Sequence, residues 1–176
     1  INTCDYNQTK AATISISNHN GPVYLRFGRP KVPNFTDPNQ DFEIGKGIKL
    51  IDGDDVTIVA TGHLVWQAIE ACNHLKKEGI SAELINIHTI KPIDEKIILK
   101  SIVKTKCIVS AEEHNIIGGL GESISGLLVR NNLVPMEFVG VEDSFGESGT
   151  PTQLMDKYGL SSKKIMEKCK KVILRK

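Results

Sequence analysis

Glu112, Glu113 and His114 stand side by side, and a glycine-rich turn, Gly118-Gly119-Leu120-Gly121, follows them. A carboxylate beside an imidazole can move a proton near neutral pH. Residues adjacent on an extended segment point to opposite faces, so Glu112 and Glu113 cannot both aim at one atom. The alternative role for the three is hydrogen bonding across a seam between packed domains. Glycines ahead of a helix suggest a phosphate cradle. The dinucleotide spacing fails, however: after Gly119 and Gly121 the third glycine position holds Ile124, and no acidic residue sits properly on a following strand to hold a ribose. Close packing at a helix start accounts for these glycines.

Arg26 and Arg29 bracket Gly28 in "RFGRP". A guanidinium at such a turn can fork two oxygens of a phosphate, which an ammonium does less specifically. The two arginines are three residues apart with a glycine between them, so they can point apart, and a structural salt bridge is the competing reading. Metal chemistry finds little support. His63 and His74 share no tight helical face, and no HExxH or Cys/His cluster exists. Asp52–Asp55, "DGDD", is too short for a calcium loop and reads as a hairpin turn. The lysines of "KKIMEKCKKVILRK" read as a solvated helix face. Trp66 sits beside an apolar stripe, as a rim residue or an interface anchor.

The elements that must position these groups follow from the apolar pattern. Asp5 and Gln8 form a capping box ahead of a helix over about Tyr6–Ser17, and "VYLRF", Val23–Phe27, alternates like a strand. Pro30, Pro33 and Pro38 then break regular structure, and the stretch reads as a linker. Beyond it, strands alternate with helices. "GIKLI", "VTIVATG", "SAELINI", "KCIVSA" and "MEFVGVE" are strands. Helices are predicted over about His63–Glu78, after Asp94, over Leu120–Asn131, after Thr150-Pro151 and after Ser161. This alternation implies a mostly parallel sheet covered on both faces, a three-layer α/β/α unit preceded by a helix-strand remnant of a second α/β domain. Ligands of such sheets gather at the carboxyl ends of strands. Those ends are Gly62-His63, His88-Thr89, Glu112-Glu113-His114 and Glu142-Asp143.

The totals narrow the field. With 176 residues, 40% of them hydrophobic, the chain can build one core or slightly more. A balance of 22 basic against 21 acidic residues leaves no electrostatic footprint for nucleic acid. Four widely spaced cysteines without a CxxC pair point to a reducing compartment. No apolar run reaches membrane-spanning length. Ile1 enters directly into structured-looking sequence, so the chain is expected to start partway through a larger polypeptide or domain.

"VYLRFGRP", "HTIKPID", "SAEEHNIIGGLGES" and "GTPTQLMDKYGLSSKKI", in this order and over essentially the whole chain, resemble the C-terminal part of transketolase. Two relatives share the architecture, deoxyxylulose-phosphate synthase and the β chain of 2-oxo-acid dehydrogenases. The first tends to have asparagine after the two acids, and the second tends to have "EEG". His114 in "EEH" and "TIKPID" favour transketolase. The resemblance implies that residues 1–30 are the tail of a pyrimidine-binding domain, 31–45 a linker and 46–176 a C-terminal domain. Its sheet would be mixed, with "GIKLI" as the antiparallel strand.

The family moves a two-carbon ketol unit between sugar phosphates with thiamine diphosphate and Mg2+. The cofactor's activating glutamate, its stacking aromatic and the GDG…N metal motif have no counterpart here. No catalytic or metal-binding residue is therefore carried over, and the isolated chain is expected to be inactive. Arg29 matches the arginine that grips the substrate phosphate, and Arg26 an arginine found in some members. Glu112, Glu113 and His114 become seam residues. The implied setting is cytoplasmic, in a homodimer or heterotetramer with an N-terminal region or subunit. The alternative is an assembly or anion-binding module without catalysis.

Overall fold

Val56, Ile58, Val59 and Ala60 leave a strand apolar on both faces, which only a sheet covered on both sides can bury. The computed structural model describes residues 1–176 and shows such a sheet. Its strands are β1 (Ile48–Ile51), β2 (Val56–Ala60), β3 (Ala82–Asn86), β4 (Ile108–Asn115) and β5 (Met136–Val141). The helices are α1 (Tyr6–Ser17), α2 (Leu64–Lys77), α3 (Glu95–Thr105), α4 (Leu120–Asn131), α5 (Pro151–Lys157) and α6 (Ser162–Ile173). Strand order is β1-β3-β2-β4-β5. β1 runs antiparallel to β3, as expected of "GIKLI", and the other pairings are parallel.

Strand alternation divides the core into two layers. Ile58, Ala60 and Leu84 pack with α2 and α6 through Leu64, Ala68, Leu75, Ile165 and Val172. Val59, Ile85 and Ile108 face α3 and α4 through Ile98, Ile102, Ile124 and Leu127. Burial of each large aliphatic side chain contributes about 1.5–3 kcal/mol. Cys72, Cys107 and Cys169 lie inside the first layer as free thiols, and burial raises the pKa of each. No helix is long and apolar enough to cross a membrane.

The N-terminal segment packs at the carboxyl end of β3, where Asn86 Nδ2 donates to Cys4 Sγ and Gln8 Oε1. Asp5 caps α1 through the amide of Gln8. The other half of the expected box is shifted, since Gln8 Oε1 accepts from the amide of Cys4. Asp5 also takes the amides of Phe35 and Thr36, tying residues 31–45, which hold no helix or strand, back to α1.

Three expectations are corrected. Val23–Phe27 is not a strand. It makes one parallel bridge, Asn2 to Arg26, because the only partner alongside is the short stretch Ile1–Thr3, too short to propagate a ladder. Asp52–Asp55 is a turn but not a hairpin, because β3 lies between β1 and β2. The turn instead crosses the start of β3, where the amides of Asp54 and Asp55 donate to Ser81 O and Asp55 Oδ2 accepts from Ser81 N. Nor is the basic face of α6 simply solvated. Lys168, Lys171 and Arg175 converge on the nearly buried carboxylate of Glu137. Burial raises that carboxyl's pKa, but the lysine contacts outweigh it and hold the group below its ordinary value.

Candidate functional site

β4 extends four residues beyond the predicted "KCIVSA", to Asn115, so Glu112, Glu113 and His114 all lie on its carboxyl end. As alternation requires, they diverge. Glu112 is 2% exposed and turns toward α4. Its Oε2 accepts from the amide of Leu120 at 2.7 Å and its Oε1 from that of Gly121 at 2.8 Å. These are two of the unsatisfied amides of the helix start, at its positive end. Gly119 leaves room for this contact, since a Cβ there would stand 2.2 Å from Glu112 Oε2. Burial pushes the Glu112 carboxyl up, and the two amides pull it the other way. The glycine turn is therefore filled by the chain's own carboxylate, and it does not fit a diphosphate. No three His, Cys, Asp or Glu side chains gather as metal ligands either.

Glu113 turns the other way. Its Oε2 lies 3.1 Å from His63 Nδ1, and its carbonyl accepts from Arg26 Nη2 at 3.0 Å. A carboxylate only accepts, so Nδ1 carries the proton. The hydrogen bond from His63 holds the Glu113 carboxyl below its ordinary value, against the opposing effect of burial. His63 itself follows Gly62, whose left-handed φ of +58° turns the chain from β2 into α2. A Cβ at Gly62 would meet the Asn2 side chain at 2.6 Å, so Asn2 closes over this turn.

His114 is exposed, and its Nδ1 lies 2.7 Å from Asn115 O. It lines a separate cavity of about 390 Å³ with Ile1, Tyr24 and Pro92. His88 is buried against Phe42, with ring centroids 4.1 Å apart, and burial lowers its pKa to about 4. It is thus a neutral core histidine. Glu142 and Asp143 stand exposed at the end of β5.

Arg26, Arg29, His63 and Glu113 line one cleft of about 700 Å³ at the carboxyl ends of β2 and β4. Its walls are the segment Arg26–Pro33, the first turn of α2 with Trp66 and Gln67, and α5 with Thr152, Met155 and Asp156. Trp66 is half-buried, its ring 5.7 Å from Phe35. Arg26 is anchored on Glu113, with its backbone bridged to Asn2. Arg29 is exposed at the cleft, its guanidinium in no ion pair. Both arginines line the cleft, and neither makes the competing salt bridge. The sequence marks Gly62-His63 as a strand end where ligands gather and weighs His63 as a metal ligand, but does not pair it with Glu113. The signal for its place was its position at the end of β2, on the same sheet edge as Glu113.

The family model for the transketolase C-terminal domain matches residues 45–165. A 6-deoxy-6-sulfo-D-fructose transketolase subunit from Clostridium sp. (strain MSTE9) is 42% identical over 172 residues, 98% of this chain and 53% of that protein. A protein named transketolase C-terminal section, from Methanocaldococcus jannaschii, is 42% identical over 174 residues, 95% of this chain and 54% of its own. A solved structure of a split-gene transketolase, described as an inactive β4 tetramer, superposes with a TM-score of 0.95 at 40% identity, covering 98% of this chain and 56% of that one. The chain spans about half the length of the curated relatives it matches.

Proposed function

This chain belongs to the transketolase family, whose C-terminal domain it carries, and on that premise we propose that it is the C-terminal part of a thiamine-diphosphate-dependent transketolase. In this reading the assembled enzyme moves a two-carbon ketol unit between sugar phosphates. Residues 1–30 complete a pyrimidine-binding domain, 31–45 link, and 46–176 form the C-terminal domain. A further N-terminal region or subunit brings thiamine diphosphate, Mg2+ and the groups that activate them, in a homodimer or heterotetramer in the cytoplasm, where the enzyme serves pentose phosphate metabolism. The subunit and split-gene names of the relatives support a divided enzyme. The filled glycine turn supports a cofactor held elsewhere.

Glu113 and Arg26 act at the seam between the two units, and His114 faces the N-terminal segment across its own cavity. Glu112 caps α4 within the C-terminal unit and borders the same cavity as His114 and the N-terminal segment.

The observation that carries the reading is Arg29, a free guanidinium at the mouth of a cleft with Arg26 and His63. A forked charge-assisted contact to phosphate is worth about 1.5–3 kcal/mol. Held at a remote phosphate, a sugar can present its carbonyl to the cofactor. In the enzyme assembled from this chain and its N-terminal part, Arg29→Ala should raise KM for ribose 5-phosphate by roughly 10–100-fold, and KM for ribose by far less. Equal effects on both sugars would remove the phosphate role. A folded assembly inactive with every sugar phosphate would remove the transketolase reading.

A further inference from the structure

Gly28 precedes Arg29 and lies directly on the imidazole of His63. A Cβ at position 28 would stand 1.9 Å from His63 Cε1 and 2.0 Å from Nε2. The ring fills the space that any other residue at 28 would need. His63 is itself fixed. Its Nδ1 is held by Glu113 at 3.1 Å, and it is only 9% exposed although it lines the cleft.

The support forms a closed circuit. The side chain of Asn2 packs on Gly62, which sets the backbone of His63. His63 holds Glu113, the Glu113 carbonyl holds Arg26, and the backbone of Arg26 is bridged to Asn2. The Gly28-Arg29 turn follows Arg26 with only Phe27 between. Cavities open on both sides of Gly28, and His63 borders each of them, so the ring is the floor under an otherwise unsupported strap.

We propose that His63 is the positioning residue for the Arg29 grip, and that Gly28 and His63 are a size-matched pair setting where the substrate phosphate is held. This rests on the phosphate role of Arg29 given above. In this proposal His63 acts through Gly28, which lies against its Cε1 and Nε2.

The test is a size swap in the assembled enzyme, with ribose 5-phosphate and ribose as paired substrates and unfolding midpoints recorded for each variant. Gly28→Ala should raise KM for ribose 5-phosphate at least tenfold more than KM for ribose, with most of the loss in KM and little in kcat. Adding His63→Ala should return that KM ratio to within about threefold of the unmodified enzyme, because the smaller side chain vacates the space. His63→Gln keeps bulk and a donor for Glu113, and should stay within about threefold. Calorimetric titration of the full chain with inorganic phosphate gives a second readout. Affinity should fall in Gly28→Ala and Arg29→Ala, and recover in the Gly28→Ala/His63→Ala pair.

Two results would overturn the proposal. In the first, the two substitutions multiply and do not compensate. In the second, His63→Gln loses as much as His63→Ala, which would make the imidazole itself the ligand. Arg29→Ala run alongside separates the two failures. If it does not discriminate between the sugars, the phosphate reading fails. If it discriminates and the swap does not rescue, only the positioning role fails.

Discussion

At the end of β4 the molecule has two sides built from the same kinds of residue. On one, a carboxylate, a helix start and glycines close on each other, with Glu112 between the amides of Leu120 and Gly121. On the other, the next carboxylate, a histidine and two arginines border an open cleft. Each side uses a glycine to admit a side chain, Gly119 for Glu112 and Gly28 for His63. The difference lies in what is left over. At the helix end two of the first amides are already taken by a carboxylate of the same chain. In the cleft Glu113 pairs with His63, and the guanidinium of Arg29 makes no ion pair. A charged motif thus takes its role from what the fold sets opposite it.

The closed side should break hardest. Glu112→Ala strands two buried amides, each costing about 1–3 kcal/mol, and only part of this is offset by no longer burying a carboxylate. A loss of about 2–4 kcal/mol is expected, read by urea unfolding or as a fall in Tm of roughly 5–15 °C. A change within about 0.5 kcal/mol would mean that the carboxylate is not the cap. Gly119→Ala attacks the same contact from the other end and should cost about 1–3 kcal/mol, by overpacking. Because both act through one contact, the double variant should lose less than the sum, and strict additivity would separate them.

Much of this division was legible beforehand. Period-two alternation requires Glu112 and Glu113 to diverge, whatever the fold. The helix from Leu120 to Asn131 was bounded correctly from its apolar spacing, and α6 begins after the Ser161 cap as expected. What escaped the sequence depends on distance in space. The convergence of Lys168, Lys171 and Arg175 on Glu137 joins residues more than thirty apart. The pairing of His63 with Glu113 joins residues fifty apart across the sheet, and neither residue type announces the other. Val23–Phe27 failed for the complementary reason. Its pattern suits a strand, but a strand needs a neighbour, and only Ile1–Thr3 runs alongside.

On the open side the effects should be smaller. Glu113 is 36% exposed at its side chain, so solvent screens its bond with His63. Glu113→Gln should cost less than about 1 kcal/mol at pH 7 by the same unfolding measurement, and should loosen the support of Gly28 more than the fold. A loss as large as that of Glu112→Ala would erase the contrast between the two sides.

The finest separation is in proton affinity, where the two neighbours should move in opposite directions from the ordinary glutamate value of 4.5. The His63 contact depresses the folded-state pKa of Glu113. The unfolded chain then binds its proton more readily, and Glu113 contributes stability above pH 4.5 that is lost as pH falls through its depressed folded value. Glu112 is raised by burial. The folded state holds its proton more tightly, so its contribution is complete below pH 4.5 and is lost as pH rises through its raised folded value. Carboxyl-carbon NMR titration of glutamate-labelled protein, assigned with Glu112→Gln and Glu113→Gln, should place the Glu112 midpoint above 4.5 and the Glu113 midpoint below it. The reverse order would mean that the two amides outweigh burial at Glu112 while His63 gives Glu113 nothing, and the closed and open sides would have to be exchanged.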